Sequence, residues 1–117
     1  MRDKKDNSVY LRNIKDAIEK ITEYTSTHNL TLFTKNEWDQ AAIIRYFEII
    51  GEASNRLSKE YKKEHTEIEW RDMNDFRNFL IHDYTDIDPN IVWDTMINPS
   101  QGLIPRRLRR YAFIIDA

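Results

Sequence analysis

The run AAIIRYFEIIGEASNRL (41–57) decides how this chain is built. Ala42, Ile43, Tyr46, Phe47, Ile49, Ile50, Ala53 and Leu57 share one broad face of an α-helix. Arg45, Glu48, Glu52, Asn55 and Arg56 fall on the opposite face. Just ahead, TKNE (34–37) has the Thr-x-x-Glu pattern of a capping box, so the spacing predicts a helix from about residue 35 to about residue 63. Gly51 sits in its middle, where glycine costs roughly 1 kcal/mol relative to alanine. Close approach by a neighbouring helix accounts for its presence there.

Working outward, Tyr10, Ile14, Ala17, Ile18, Ile21 and Tyr24 give the segment 7–27 the same helical spacing, with Asp6, Asn7 or Ser8 available to cap its start. A further helix holds WRDMNDFRNFLIHDY (70–84). Asp88 followed by Pro89 reads as an N-cap and first helical residue, opening a short helix over Ile91 to Ile97. After the break NPSQG (98–102), the segment PRRLRRYAFII (105–115) places Leu108, Tyr111, Ala112 and Ile115 on one side of a last helix. The expected fold is all-α: an antiparallel up-and-down bundle of four to five helices in a single domain, 1–117.

Composition agrees. The 117 residues are 40% hydrophobic and 32% charged, with only two glycines and three prolines, too little turn chemistry for a multi-stranded sheet. A net charge of −2 argues against a surface-wide nucleic-acid binder but leaves room for a local basic site. RRLRR (106–110) either supplies such a local field or forms the solvent face of the last helix. With no cysteine there is neither a disulfide framework nor a thiolate metal site. The apolar runs are far shorter than a membrane span, and MRDKKDNS lacks the apolar region of a signal peptide, so a soluble, cytoplasmic protein without a membrane partner is expected.

The run RNFLIHDY (77–84) asks for more than a fold. On a helical wheel Trp70, Met73, Phe76, Leu80, Ile81 and Tyr84 form an apolar arc, and Arg77 lies inside it. An unpaired buried charge costs several kcal/mol, so this arginine needs a partner. Two readings stand: a structural ion pair with Glu48 or Glu52, or a cleft in which the planar guanidinium meets a phosphate. His82 lies roughly 140° around the helix from Arg77, with Asn78 one turn before it. By itself it is a surface histidine or a titrating group. His28, His65 and His82 are scattered, and no metal cluster is legible.

The pattern Arg-x4-His with a polar residue after the arginine, here R77-N78-F79-L80-I81-H82, resembles the signature of the HEPN superfamily of helical RNases. Its extension to Tyr84 resembles the HepT-type toxin branch. RYFEIIGEASNRLS (45–58) and HTEIEWRDMNDFRNFLIHDYTDIDPNIVW (65–93) resemble that branch's motif-preceding helix and core, so the likeness covers about residues 40 to 93. Asn74 departs from it, standing where a small residue such as glycine is expected.

The resemblance implies a two-fold homodimer whose paired motifs share a cleft at the interface. It implies a metal-independent endoribonuclease, with no cofactor, acting on RNA such as tRNA as the toxin of a toxin–antitoxin pair. Arg77 would bind the scissile phosphate, His82 would act as general acid or base, and Asn78 and Asp83 would support them. Tyr84 would accept AMP from a partner minimal nucleotidyltransferase, the antitoxin, which silences the enzyme. The alternative is a non-catalytic helical dimer that docks a nucleotidyltransferase and binds nucleotide or RNA.

Overall fold

The computed structural model describes residues 4–66, 70–71, 74, 77–78 and 87–97. Helix α1 spans Lys4–Thr27, α2 Leu30–Lys35, α3 Glu37–Arg56, α4 Lys59–Glu64 and α5 Pro89–Ile97. Trp70, Arg71, Asn74, Arg77 and Asn78 are helical as well. The architecture is all-α, as the periodicity predicts. The last expected helix, over 105–115, lies outside the described residues.

Helix α1 contains no glycine or proline, and its apolar positions fall at helical intervals. Ile14, Ala17, Ile18 and Ile21 are buried, and Tyr10 and Tyr24 pack half-buried at either end of that stripe. The stripe faces Ile43, Phe47, Ile50, Ala53 and Leu57, making α1 and α3 the principal packed pair. Burying an Ile or Phe side chain of this kind contributes about 1.5–3 kcal/mol. Helix α5 closes the core from the end of the bundle with Val92, Trp93 and Met96. The Phe33 ring of α2 lies 5.6 Å from Trp93 and 5.9 Å from Tyr24, so one fully buried aromatic ties α1, α2 and α5 together.

Local capping explains where α2, α3, α4 and α5 start, and it revises three expectations. The helix expected over about 35–63 is two helices: α3 stops at Leu57, whose ψ of 148° is extended, and Ser58 restarts the chain by accepting from Tyr61 N at 3.2 Å. The cap of α3 is Asn36, whose Oδ1 accepts from Asp39 N at 3.1 Å, and not Thr34 of the capping-box pattern. Thr34 lies inside a separate short helix, α2, with Asn29 as its cap. The short Asx side chain reaches the orphan amides of the first turn better than a threonine already committed to another helix.

Asn7 does not cap α1, which already runs from Lys4. Instead its Oδ1 accepts from Ser58 N and its Nδ2 donates to Ser58 Oγ, both at 3.0 Å, stapling the start of α1 to the start of α4. The Asp88–Pro89 expectation holds. Asp88 Oδ1 accepts from the backbone N and the Nδ2 of Asn90 at 2.9 Å each, and these donors hold its carboxyl below the usual range.

Candidate active site around Arg77

The segment bearing the motif is anchored by aromatic packing. Trp70 Nε1 donates to the carbonyl oxygen of His65 at 3.1 Å, and the Tyr61 ring lies 4.3 Å from His65 and 6.2 Å from Trp70. Two turns on from Trp70 comes Arg77, on the same side of the helix. Asn74, Arg77 and Asn78 share the i, i+3, i+4 spacing of one helical stripe, and all three are half-buried.

Arg77 lies directly against Gly51 of α3. A methyl group built on Gly51 would stand 2.3 Å from Arg77 Cβ, 2.6 Å from its Cγ and 3.4 Å from its Cδ. The glycine expected to mark a close helix approach does so, and the residue approaching is the motif arginine. Gly51 is itself buried.

The polar end of Arg77 bears on the ion pair expected with Glu48 or Glu52. Among the described residues neither Glu48 nor Glu52 pairs with it, and Glu52 faces Arg45 instead, at 3.6 Å. Arg77 Nη1 donates to Asn78 Oδ1 at 3.2 Å, a neutral acceptor, and Nε is buried without a hydrogen-bond partner among the described residues. The expected ion pair across to α3 is therefore absent among the described residues. Stem contact with Gly51 sets the arginine's place, and its charge is left without a carboxylate there.

The structure thus brings together Arg77 and Asn78 of the expected site. His82, Asp83 and Tyr84 lie outside the described residues. Among the described residues no group of three His, Asp or Glu side chains is arranged to hold a metal ion. No helix among them is long and apolar enough to cross a membrane.

Family comparison adds an independent line on the chain as a whole. The family described as Ribonuclease HepT-like matches residues 14–105. The chain belongs to the HepT-like ribonuclease family. Among relatives of this HepT-like chain, "Probable ribonuclease HepT" of Thermococcus cleftensis is 40% identical over 93 residues, covering 80% of this chain and 84% of that protein. "Putative RNase MJ0127" of Methanocaldococcus jannaschii is 34% identical over 95 residues, 81% of this chain and 78% of that one. From the same organism, "Gamma-glutamylcyclotransferase and putative RNase MJ0434" is 34% identical over 93 residues, but the match spans only 42% of that longer protein. No solved structure matches.

Other polar clusters of this HepT-like chain lie away from Arg77, and sequence reading missed them. Tyr24 Oη donates to Asp39 Oδ2 at 2.6 Å. Burial and that carboxylate push the Tyr24 phenol well above its ordinary range. The His28 ring stacks on Tyr24 at 3.9 Å, with Nδ1 within 2.8 Å of Thr27 Oγ1. These four residues are spread over 24–39, and the chain reversal through α2 gives no periodic signal of their meeting. A groove of about 570 Å³ between α1 and α3 is lined by Tyr10, Lys20, Arg45, Tyr46, Glu52 and Arg56 among others. Its mixed charges give it no single ligand preference, and Arg77 does not line it.

Proposed function

We propose that this chain is a metal-independent endoribonuclease acting as the toxin of a toxin–antitoxin pair in the cytoplasm, with tRNA as its substrate. The observation that carries the reading is Arg77. It is half-buried, its guanidinium donates to a neutral amide, and among the described residues no carboxylate offsets its charge. A guanidinium so placed favours an anion, and its planar fork suits a phosphodiester.

In this mechanism Arg77 binds the scissile phosphate and stabilises the charge that builds on its oxygens. The ribose 2′-OH attacks the phosphorus and the bond to the 5′ oxygen breaks. Products are a 2′,3′-cyclic phosphate and a free 5′-OH. His82 takes the proton from the 2′-OH or delivers one to the leaving 5′ oxygen; an ordinary imidazole pKa near 6.5 suits both tasks near neutral pH. Asn78 orients the Arg77 fork, and Asp83 supports His82. On one straight helix Arg77 and His82 diverge by roughly 140°, which a two-fold homodimer overcomes by joining two motifs in one cleft.

Control follows from Tyr84, seven residues after Arg77, a spacing that on an ideal helix corresponds to about 10.5 Å of rise and nearly the same stripe. A partner minimal nucleotidyltransferase transfers AMP from ATP to the Tyr84 hydroxyl, releasing pyrophosphate. The new phosphodiester brings negative charge and bulk beside Arg77, which excludes RNA by both repulsion and sterics.

The deciding experiment incubates the purified chain with total tRNA in excess EDTA, wild type beside His82→Ala, on a denaturing gel. Discrete fragments ending in cyclic phosphate from wild type alone are the expected result. Intact tRNA in both lanes, with Tyr84 unmodified by mass spectrometry, overturns the nuclease reading.

A further inference from the structure

Gly51 is an odd choice for the centre of α3 unless something other than the backbone asks for it. It lies within regular helix, so no unusual dihedral angle requires glycine. Alanine would propagate the helix better. What the position forbids is a side chain, because a Cβ there would stand 2.3 Å from Arg77 Cβ and 2.6 Å from its Cγ. Those atoms belong to the fixed root of the arginine, not to its flexible end. No change of rotamer moves a Cβ, so a methyl at 51 must push the two helices apart by about 1 Å or more to restore ordinary contact.

The far end of the same side chain is constrained too. Nε is buried with no acceptor among the described residues, and Nη1 donates to Asn78 Oδ1 at 3.2 Å. A free arginine would turn Nε toward water; here the donor is buried away from it. A donor so placed persists where surrounding packing over-determines the conformation. Arg77 is thus held at its root by bare backbone and at its tip by a neighbouring amide.

We propose that Gly51 is a positioning residue for Arg77: by presenting bare backbone, α3 seats the arginine stem and so aims its guanidinium at the phosphate of the RNA. The inference rests on the ribonuclease reading for its consequence, though the seating itself does not depend on it. Gly51 touches no substrate. It acts through the place it gives Arg77, and a displacement on the scale of 1 Å is enough to cost about a hundredfold in rate.

The test compares wild type, Gly51→Ala, Arg77→Lys, the double variant and Ile50→Val, a core change next door that loosens packing and leaves the residues at 51 and 77 unchanged. Two readouts are taken. One is the side-chain Nε–Hε resonance of Arg77 in ¹⁵N-labelled protein, with its solvent-exchange rate set against that of exposed Arg45. The other is steady-state cleavage of a labelled RNA.

In wild type the Arg77 resonance is single and exchanges more slowly than that of Arg45. In Gly51→Ala it shifts or broadens, and kcat falls about a hundredfold while KM changes less than about threefold. Adding Gly51→Ala to Arg77→Lys brings little further loss, and Ile50→Val retains both the resonance and the rate.

An Arg77 resonance exchanging as fast as that of Arg45 in wild type overturns the seating, even if Gly51→Ala fails to fold. An unshifted resonance and unchanged kcat in a folded Gly51→Ala overturn it equally. If wild type cuts no RNA, the nuclease reading falls, and the resonance comparison alone still decides the role of Gly51.

Discussion

Asn7 and Ser58 are joined by two hydrogen bonds across 51 residues of sequence, each 3.0 Å long. The Asn7 amide completes Ser58, which is at the same time the N-cap of α4. One side chain near the start of the chain thereby holds the break that ends α3 and turns the chain towards the Arg77 segment. Asn7→Ala leaves the Ser58 amide without its acceptor and is expected to cost about 1–2 kcal/mol, the loss of a pair of partly buried hydrogen bonds. Urea unfolding of Asn7→Ala, Ser58→Ala and the double variant checks it. Fully additive losses would show that the two residues do not act as a unit.

Asn36, rather than Thr34, caps the helix that carries Gly51. Asn36→Ala is expected to destabilise by roughly 1 kcal/mol. Thr34→Ala should cost much less, because its hydroxyl only donates to the Thr31 carbonyl at 3.2 Å on an outer turn. Thermal melts of the two variants side by side give the comparison, and equal losses would restore the capping-box assignment.

Phe33 is fully buried against Trp93 and Tyr24. Truncation to alanine is expected to cost about 3–5 kcal/mol, as for large aromatic deletions from cores. So large a loss from a six-residue helix distinguishes α2 as a structural plug from a mere connection. Denaturant titration reads it out.

Tyr24 sets a limit on alkaline stability. Its phenol, ordinarily titrating near 10.0, is pushed up by burial and by the Asp39 carboxylate that accepts its hydrogen bond. The folded state thus holds the proton more tightly than the unfolded chain. This contribution is fully present below pH about 10 and is lost as pH rises beyond it. Tyr24→Phe is expected to flatten the alkaline limb of a stability–pH curve above pH about 10 while leaving its neutral shape alone. An unchanged limb would assign the alkaline loss to other groups.

Asn78 is expected to matter to cleavage more than to folding. Its Oδ1 accepts from Arg77 Nη1 and so orients the fork, and its loss in Asn78→Ala should lower kcat/KM roughly 10- to 100-fold, a larger effect than on melting temperature. Arg77→Ala should lose more, because it removes the charge itself. Cleavage assays on both variants rank them, and an active Asn78→Ala would free Arg77 from dependence on its neighbour.

Much of this was legible in the amino acids alone. Apolar residues at steps of three and four wrote α1 and α3 directly, because a helix with one greasy stripe has few other ways to leave water. Asp88 before Pro89 marked the start of α5 for a local reason, since the carboxylate bonds Asn90 two residues on. The Arg77–His82–Tyr84 run and its family likeness were visible as spacing, and family membership follows from residues 14–105 as a whole.

Tertiary structure decided whatever depends on residues far apart in the chain. Periodicity could say that Gly51 invites a neighbour, but not that the neighbour is Arg77, 26 positions on, nor that the gap between their atoms leaves no room for a methyl. It could demand a partner for Arg77, yet Glu52 faces Arg45, and the acceptor Arg77 meets among the described residues is Asn78. The split of the long helix at Leu57 and Ser58 was equally invisible, because the hydrogen bonds that stabilise it come from Asn7. Local spacing fixes which face each helix buries, since that depends only on the chain's own geometry. Which side chains then compete for each partner is settled only when the faces meet, because hydrogen bonds and close contacts are short-ranged and exclusive.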